Sequence, residues 1–259
     1  MRRRFQSITN KLPAIISMGI LLALWHFLCI TKVVPDFMLP SPKAVAIAFY
    51  EDLDLILEHA GVTLTEAFYG LLIGILFAFV IATVMDRWDV MYQAFYPIMI
   101  VTQTIPTIAI APLLVLWMGF GMEPKVTLVA ITTFFPVAVG LLDGYKSVDC
   151  DYIHLMRSMG ASRYRIFVNV KLPGALPHFF SGLKVSTSYA VVGAVISEWL
   201  GGFEGLGVYM TRVKKAYAFD RMFAVILFIV VISLLLMLLV NLMKTICMPW
   251  IRVEKRREK

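Results

Sequence analysis

Charge is what this sequence has least of. Only 16% of its 259 residues are Asp, Glu, Lys or Arg, against roughly a quarter in soluble domains, too few to clothe a soluble fold of this size. Cysteine is scarce as well. Cys29, Cys150 and Cys247 lie far apart, with no CxxC and no Cys/His cluster, which argues against a disulfide framework or a zinc site. His26, His59, His154 and His178 are scattered and HExxH is missing, so no metal or acid–base centre is expected and no catalytic residue is assigned. No GxxxxGK[ST] phosphate loop occurs. The glycine run at 201–207 lacks the following Lys and Ser/Thr, so the chain is expected to bind no nucleotide or other cofactor itself. The net charge of +7 comes without an aromatic-interleaved basic patch, which argues against nucleic acid as a partner.

What is abundant is apolar. Hydrophobic residues are 60% of the chain and the mean hydropathy is +0.82, so long runs between the clustered charges have lipid as their solvent. A bilayer crossing needs about 20 mostly apolar residues. Six segments qualify, near 12–30, 62–85, 94–117, 125–142, 177–199 and 222–243. The expected fold is an all-α polytopic bundle in one membrane domain, 1–259. The first segment follows Arg2, Arg3, Arg4 and Lys11 but has no small-residue cleavage site, and reads as an uncleaved helix. Basic residues at both ends and at Lys146, Arg157, Arg163, Arg165 and Lys171 place the two termini and the 143–175 loop in the cytoplasm. Arg212, Lys214, Lys215 and Arg221 oppose that count and are outvoted by it. Segment 32–60 is expected outside, with an amphipathic helix around 44–57 lying along the interface.

Three spans carry distinctive residues. In the second, Gly70, Gly74, Ala78 and Ala82 recur every four positions and form a small-residue stripe for close helix packing. It would serve either a moving core or dimer face, or ordinary packing. The third holds Thr102, Gln103, Thr104, Pro106 and Thr107, with Pro112 beyond. Proline breaks and polar side chains in hydrocarbon mark a wet pathway, although threonines also bond back to their own helix. Gln103 has more hydrogen-bonding capacity than its own helix can absorb. Glu198 closes the fifth span beside Trp199, either in the pathway or at the outer interface. The sixth, almost uniformly aliphatic, reads as a peripheral lipid-facing helix.

The 143–175 loop is too long for a mere connection. Asp151, His154, Leu155, Met156, Arg157, Ser158 and Met159 fit a short amphipathic helix, Gly160 and Ala161 a break, and Ser162 the N-cap of a second helix that Pro173, after Leu172, is expected to end. Its apolar edge suits a partner protein.

This loop resembles the signature of permease subunits of binding-protein-dependent ATP-binding-cassette importers, which reads Glu-Ala-Ala, three residues, Gly, nine residues, Ile, one residue, Leu-Pro. Gly160 and Leu172-Pro173 match at the required spacing, and Val170 stands for Ile. His154-Leu155-Met156 occupies the Glu-Ala-Ala place, so the family's glutamate is missing from the dock. Leu39-Pro40-Ser41-Pro42, Ile105-Pro106-Thr107-Ile108-Ala109, the run Pro112 to Gly119 and Phe134-Phe135-Pro136 resemble the branch importing nitrate, alkanesulfonates, taurine and vitamin precursors. Gln103-Thr104-Ile105-Pro106 and Glu198-Trp199-Leu200-Gly201-Gly202 look most like permeases of thiamine-pyrimidine precursor uptake. The resemblance implies a type I importer fold in a bacterial cytoplasmic membrane. It also implies two separate ATPase subunits using ATP and Mg, an extracytoplasmic solute-binding protein and a second permease copy, expected as a homodimer with pairing to a different permease as the alternative. An ion-coupled secondary transporter is the alternative. It would show broken helices in matching halves and several buried ionisable residues, and only one broken span and one buried acid are evident. A membrane enzyme finds still less support in the dispersed histidines.

Overall fold

The computed structural model describes residues 12–32, 34–35 and 38–249. The basic residues at 2–4, Lys11 and the tail from Arg252, which the orientation relies on, lie outside the described residues, as does Asp36. The described chain is helical: α1 Leu12–Ile30, α2 Pro42–Glu51, α3 Leu53–Arg87, α4 Asp89–Thr104, α5 Thr107–Met118, α6 Glu123–Lys146 and α7 Cys150–Ser158. There follow α8 Arg163–Gly201, α9 Leu206–Lys215 and α10 Phe219–Cys247.

Among the described residues four helices, α3, α6, α8 and α10, are long and apolar enough to cross a bilayer, and α4 with α5, bent by 98° at their junction, makes a fifth if the pair is one span. The remaining expected segment is the 19-residue α1, in which Ile16–Ile30 ranks as a shorter apolar helix. The bend falls at Ile105-Pro106. Pro106 has no N–H to continue α4, and the residue before a proline is driven out of the helical region; Ile105 sits at ψ 123°. Pro112, by contrast, is accommodated inside α5.

Two compact units share the chain. One takes α1, α2 and Tyr209–Phe228. In it Trp25 stacks on Phe223, its indole N–H donates to the Pro40 carbonyl at 3.1 Å, and Asp52 receives both the Tyr209 hydroxyl and Arg221. Beside Asp52, desolvation and the neighbouring negative charge hold the Tyr209 hydroxyl well above the ordinary phenol range, so it stays a donor. The stretch expected as one helix over 44–57 is divided at Asp52, which caps α2 before α3 begins.

The second unit, Glu58–Val208 with Ile229–Lys259, has α6 at its centre. Glycine stripes bring neighbouring backbones onto it. A Cβ on Gly70 would run into the Val129 side chain, and one on Gly74 into Thr133 and, at 3.0 Å, the Ala130 carbonyl. Ala78 and Ala82 are fully buried against Val137, Ala138 and Leu141. The small-residue stripe of the second span therefore packs inside the chain, on α6. On its other side α6 meets α8, where Gly140 and Gly144 would press on His178 and Ala175 and Ser186 donates to the Thr133 carbonyl at 2.8 Å. The aliphatic face of α10 is largely exposed (Leu234, Leu238 and Leu242 each above half), as a lipid-facing helix requires.

Candidate functional site

The α4–α5 bend exists because Pro106 stops one helix, and its consequence is a polar concavity. Thr102, Gln103, Thr104, Ile105, Pro106 and Thr107 all line one half-open cavity of about 490 Å³, lined also by Thr132 and Phe135 of α6 and by Tyr189 and Gly193 of α8. Thr102 and Thr104 donate to the Met99 and Val101 carbonyls at 2.8 and 2.7 Å, so those hydroxyl protons are spent on their own helix. Thr132 does the same to Val129 at 2.9 Å. The Gln103 amide has no hydrogen-bond partner among the described residues and keeps both donor and acceptor for whatever enters. No Asp, Glu, Lys, Arg or His lines this space.

Glu198 is elsewhere. It lies 1% exposed at the end of α8, outside the cavity and away from any surface. Thr63 Oγ1 donates to one of its carboxylate oxygens at 2.7 Å and the Gly207 N–H to the other at 2.6 Å. One turn beyond Thr63 on α3, Glu66 Oε1 accepts from Lys125 Nζ of α6 at 2.6 Å in a second buried pair, and the other Glu66 oxygen has no hydrogen-bond partner among the described residues. Sequence reasoning gave Lys125, Thr63 and His59 no role. A charged residue at the start of a span, and polar residues three and seven positions before Glu66 on the same helix face, were the available signals.

The signature loop folds as an exposed nine-residue helix and a tight turn. Asp149 caps α7 by accepting the Asp151 N–H at 2.9 Å. Its end is closed by Ala161 N–H to the Met156 carbonyl and Gly160 N–H to that of Arg157, both 2.9 Å, with Gly160 at φ +76°. This is a glycine-dependent helix stop. Ser162 caps the next helix through the Arg165 N–H. That helix does not end at Pro173. It runs as α8 for 39 residues, easing through a π-turn at Phe167–Lys171. Pro173 falls in the first turn of the α-helical stretch after the π-turn, where proline is tolerated. Leu155 and Met159 stand 58% and 75% exposed, an apolar edge with nothing over it among the described residues. Beside it a shallow groove of about 420 Å³ is lined by Tyr152, Leu155, Met156, Val170 and Gly174. His154, Arg157 and Ser158 are exposed on the same short helix.

Comparison with known proteins agrees with this layout. Residues 70–253 match the family described as binding-protein-dependent transport system inner membrane component. A probable ABC transporter permease protein of Haemophilus influenzae is 37% identical over 87% of this chain and 92% of its own length. The formylaminopyrimidine transport permease protein ThiX of Halalkalibacterium halodurans is 30% identical over 96% of this chain and 98% of its own. The taurine transport system permease protein TauC of Escherichia coli is 29% identical over 90% and 88%. Among solved structures, a chain of the inward-facing MetNI methionine ABC transporter superposes with a TM-score of 0.68 at 17% identity, over 76% of this chain and 98% of that one. The polar broken span, the exposed signature helix and these likenesses converge: the chain belongs to the family of inner-membrane permease components of binding-protein-dependent ABC importers.

Proposed function

We propose that this permease forms the pathway for a small polar heterocycle, best matched by a pyrimidine precursor of thiamine, with nitrate, alkanesulfonates and taurine ranked after it. The observation that carries this is the chemistry of the 490 Å³ cavity: hydroxyls, one free amide and the rings of Tyr189 and Phe135, with no cationic side chain. An anion stripped of water there would meet no counter-charge, and burying an unpaired charge is costly. A flat neutral heterocycle can stack on the rings and exchange hydrogen bonds with Gln103. The 30% identical relative named for formylaminopyrimidine transport supports the same ranking.

Membership of the family supports the wider machine proposed here. Two copies of the chain enclose the path, with both termini in the cytoplasm. α7 and the Gly160 turn seat each copy in a groove on a separate ATPase, which supplies ATP and Mg chemistry, and an extracytoplasmic binding protein delivers cargo. Because His154 replaces the family's glutamate, that seat relies on the apolar edge of Leu155, Met156 and Met159. Competition for uptake in cells decides the substrate. An aminopyrimidine precursor of thiamine should displace labelled cargo where taurine and nitrate do not, and the opposite order refutes the ranking. Recovery of the ATPase with the chain, but not with Gly160→Pro or a deletion of 152–162, tests the dock. Equal recovery from all three refutes it.

A further inference from the structure

Glu198 is the acid a pathway would have been expected to use, yet both of its oxygens are already committed. The hydrogen bonds around it share one purpose. Gly205 N–H donates to His59 Nδ1 at 3.0 Å, Leu206 N–H to Thr63 Oγ1 at 2.9 Å and Gly207 N–H to Glu198 at 2.6 Å. These three successive groups stand at the head of the ten-residue α9, where N–H groups have no partner within the helix and carry partial positive charge. The single Thr63 proton goes to Glu198 at 2.7 Å in preference to the His59 carbonyl at 3.2 Å. Side chains from α3 and α8 thus cap α9 from outside. The fit admits no larger residue: Gly205 holds φ +118° and a Cβ on it would strike the Glu198 carboxylate, while a Cβ on Gly207 would strike the Val195 carbonyl.

The same two helices are joined at their other ends, where Lys171 Nζ reaches both oxygens of Asp86 at 2.7 and 2.8 Å. At 1.5 Å per residue, Thr63 to Asp86 spans roughly 35 Å and Lys171 to Glu198 roughly 40 Å, slightly more than the ~30 Å of hydrocarbon in a bilayer. An antiparallel pair is therefore fastened at both faces. One of its members, α8, starts two residues after the Gly160-Ala161 turn and reaches Glu198 without interruption.

We propose that Glu198 is a positioning residue for transport: with Thr63 it latches segment 202–207 and the start of α9 to the far end of α8, so that movement imposed at α7 arrives there undiminished. The proposal rests on the reading of α7 as the ATPase dock. Its measurable signature is the number of cargo molecules moved per ATP hydrolysed by the complete complex in proteoliposomes, with an aminopyrimidine as cargo. Glu198→Ala and Thr63→Val should lower that ratio about five-fold or more, the lower range of ordinary site-to-site coupling, while ATPase recovery on the complex is kept. Glu198→Gln, which retains one acceptor, should fall between, and Thr63→Ser, which retains the hydroxyl, should match wild type. Thr63→Val nearly conserves volume, so it reports even if Glu198→Ala fails to fold. An unchanged ratio in Thr63→Val, or uptake and hydrolysis falling in step with the amount of folded complex, overturns the latch and leaves the dock standing. A wild-type chain that neither recruits nor is driven by an ATPase overturns both.

Discussion

Gly160 is the position where the dock can be perturbed with least ambiguity. Its φ of +76° lies in the left-handed region, and a Cβ built there meets nothing within 4 Å. A substitution therefore adds backbone strain and no clash. For an L-residue the left-handed conformation costs about 1–2 kcal/mol, less for Asn, and β-branched side chains bear it worst. Since 1.4 kcal/mol is about ten-fold in an equilibrium, Gly160→Ala should weaken ATPase binding by about five-fold and Gly160→Val by about thirty-fold. Gly160→Asn should recover most of the wild-type affinity. The assay is a titration of purified ATPase onto the detergent-solubilised chain, with helix content checked by circular dichroism. Wild-type affinity in the Val variant would refute the assignment of this turn to the dock. An Asn variant as weak as Val would refute the role of its backbone conformation.

Four further outcomes are expected. Gly74→Val forces a branched side chain onto Thr133 and the Ala130 carbonyl, and should lower stability by about 1–3 kcal/mol, read from thermal unfolding in detergent; no change would mean that α3 and α6 are not packed this closely. Lys125→Met leaves Glu66 buried without its partner and should cost about 3–5 kcal/mol, whereas Lys125→Met with Glu66→Leu should restore part of it in the same assay. For the dock-side fastening, a double-mutant cycle on Lys171 and Asp86 should give a coupling of about 1 kcal/mol or more, above that of an open surface pair because both groups are largely buried. In the cavity, Gln103→Leu should raise the KM for uptake by up to about ten-fold, one hydrogen bond's worth, with little change in the maximal rate; an unchanged KM removes Gln103 from the pathway.

Much of this was legible from residue pattern alone. The apolar runs of the second, fourth, fifth and sixth expected spans dictate four helices of membrane length and Ile105-Pro106 dictates the break in the third, whereas the first run yields only the shorter apolar helix Ile16–Ile30. The spacing of Gly160 to Leu172-Pro173 identified the family, which the match over 70–253 bears out. The Gly70, Gly74, Ala78, Ala82 stripe announced a close packing face but not its partner, because periodicity tells which side of a helix is small and is silent on what meets it. Pro173 was misleading. A proline near a helix start is permitted, and the π-turn at 167–171 lets α8 pass through where the sequence suggested an end. The setting of Glu198 could not be read at all, since its partners Thr63 and Gly207 lie 135 residues before it and in the glycine run after it. Only the fold brings them to one acid.

The most direct measurement is uptake of a labelled aminopyrimidine into proteoliposomes holding the permease, its ATPase and the binding protein. Uptake should need all three proteins and internal or external ATP on the ATPase side, and should stop when 152–162 is deleted. Uptake by the permease alone, driven by an ion gradient, would contradict it.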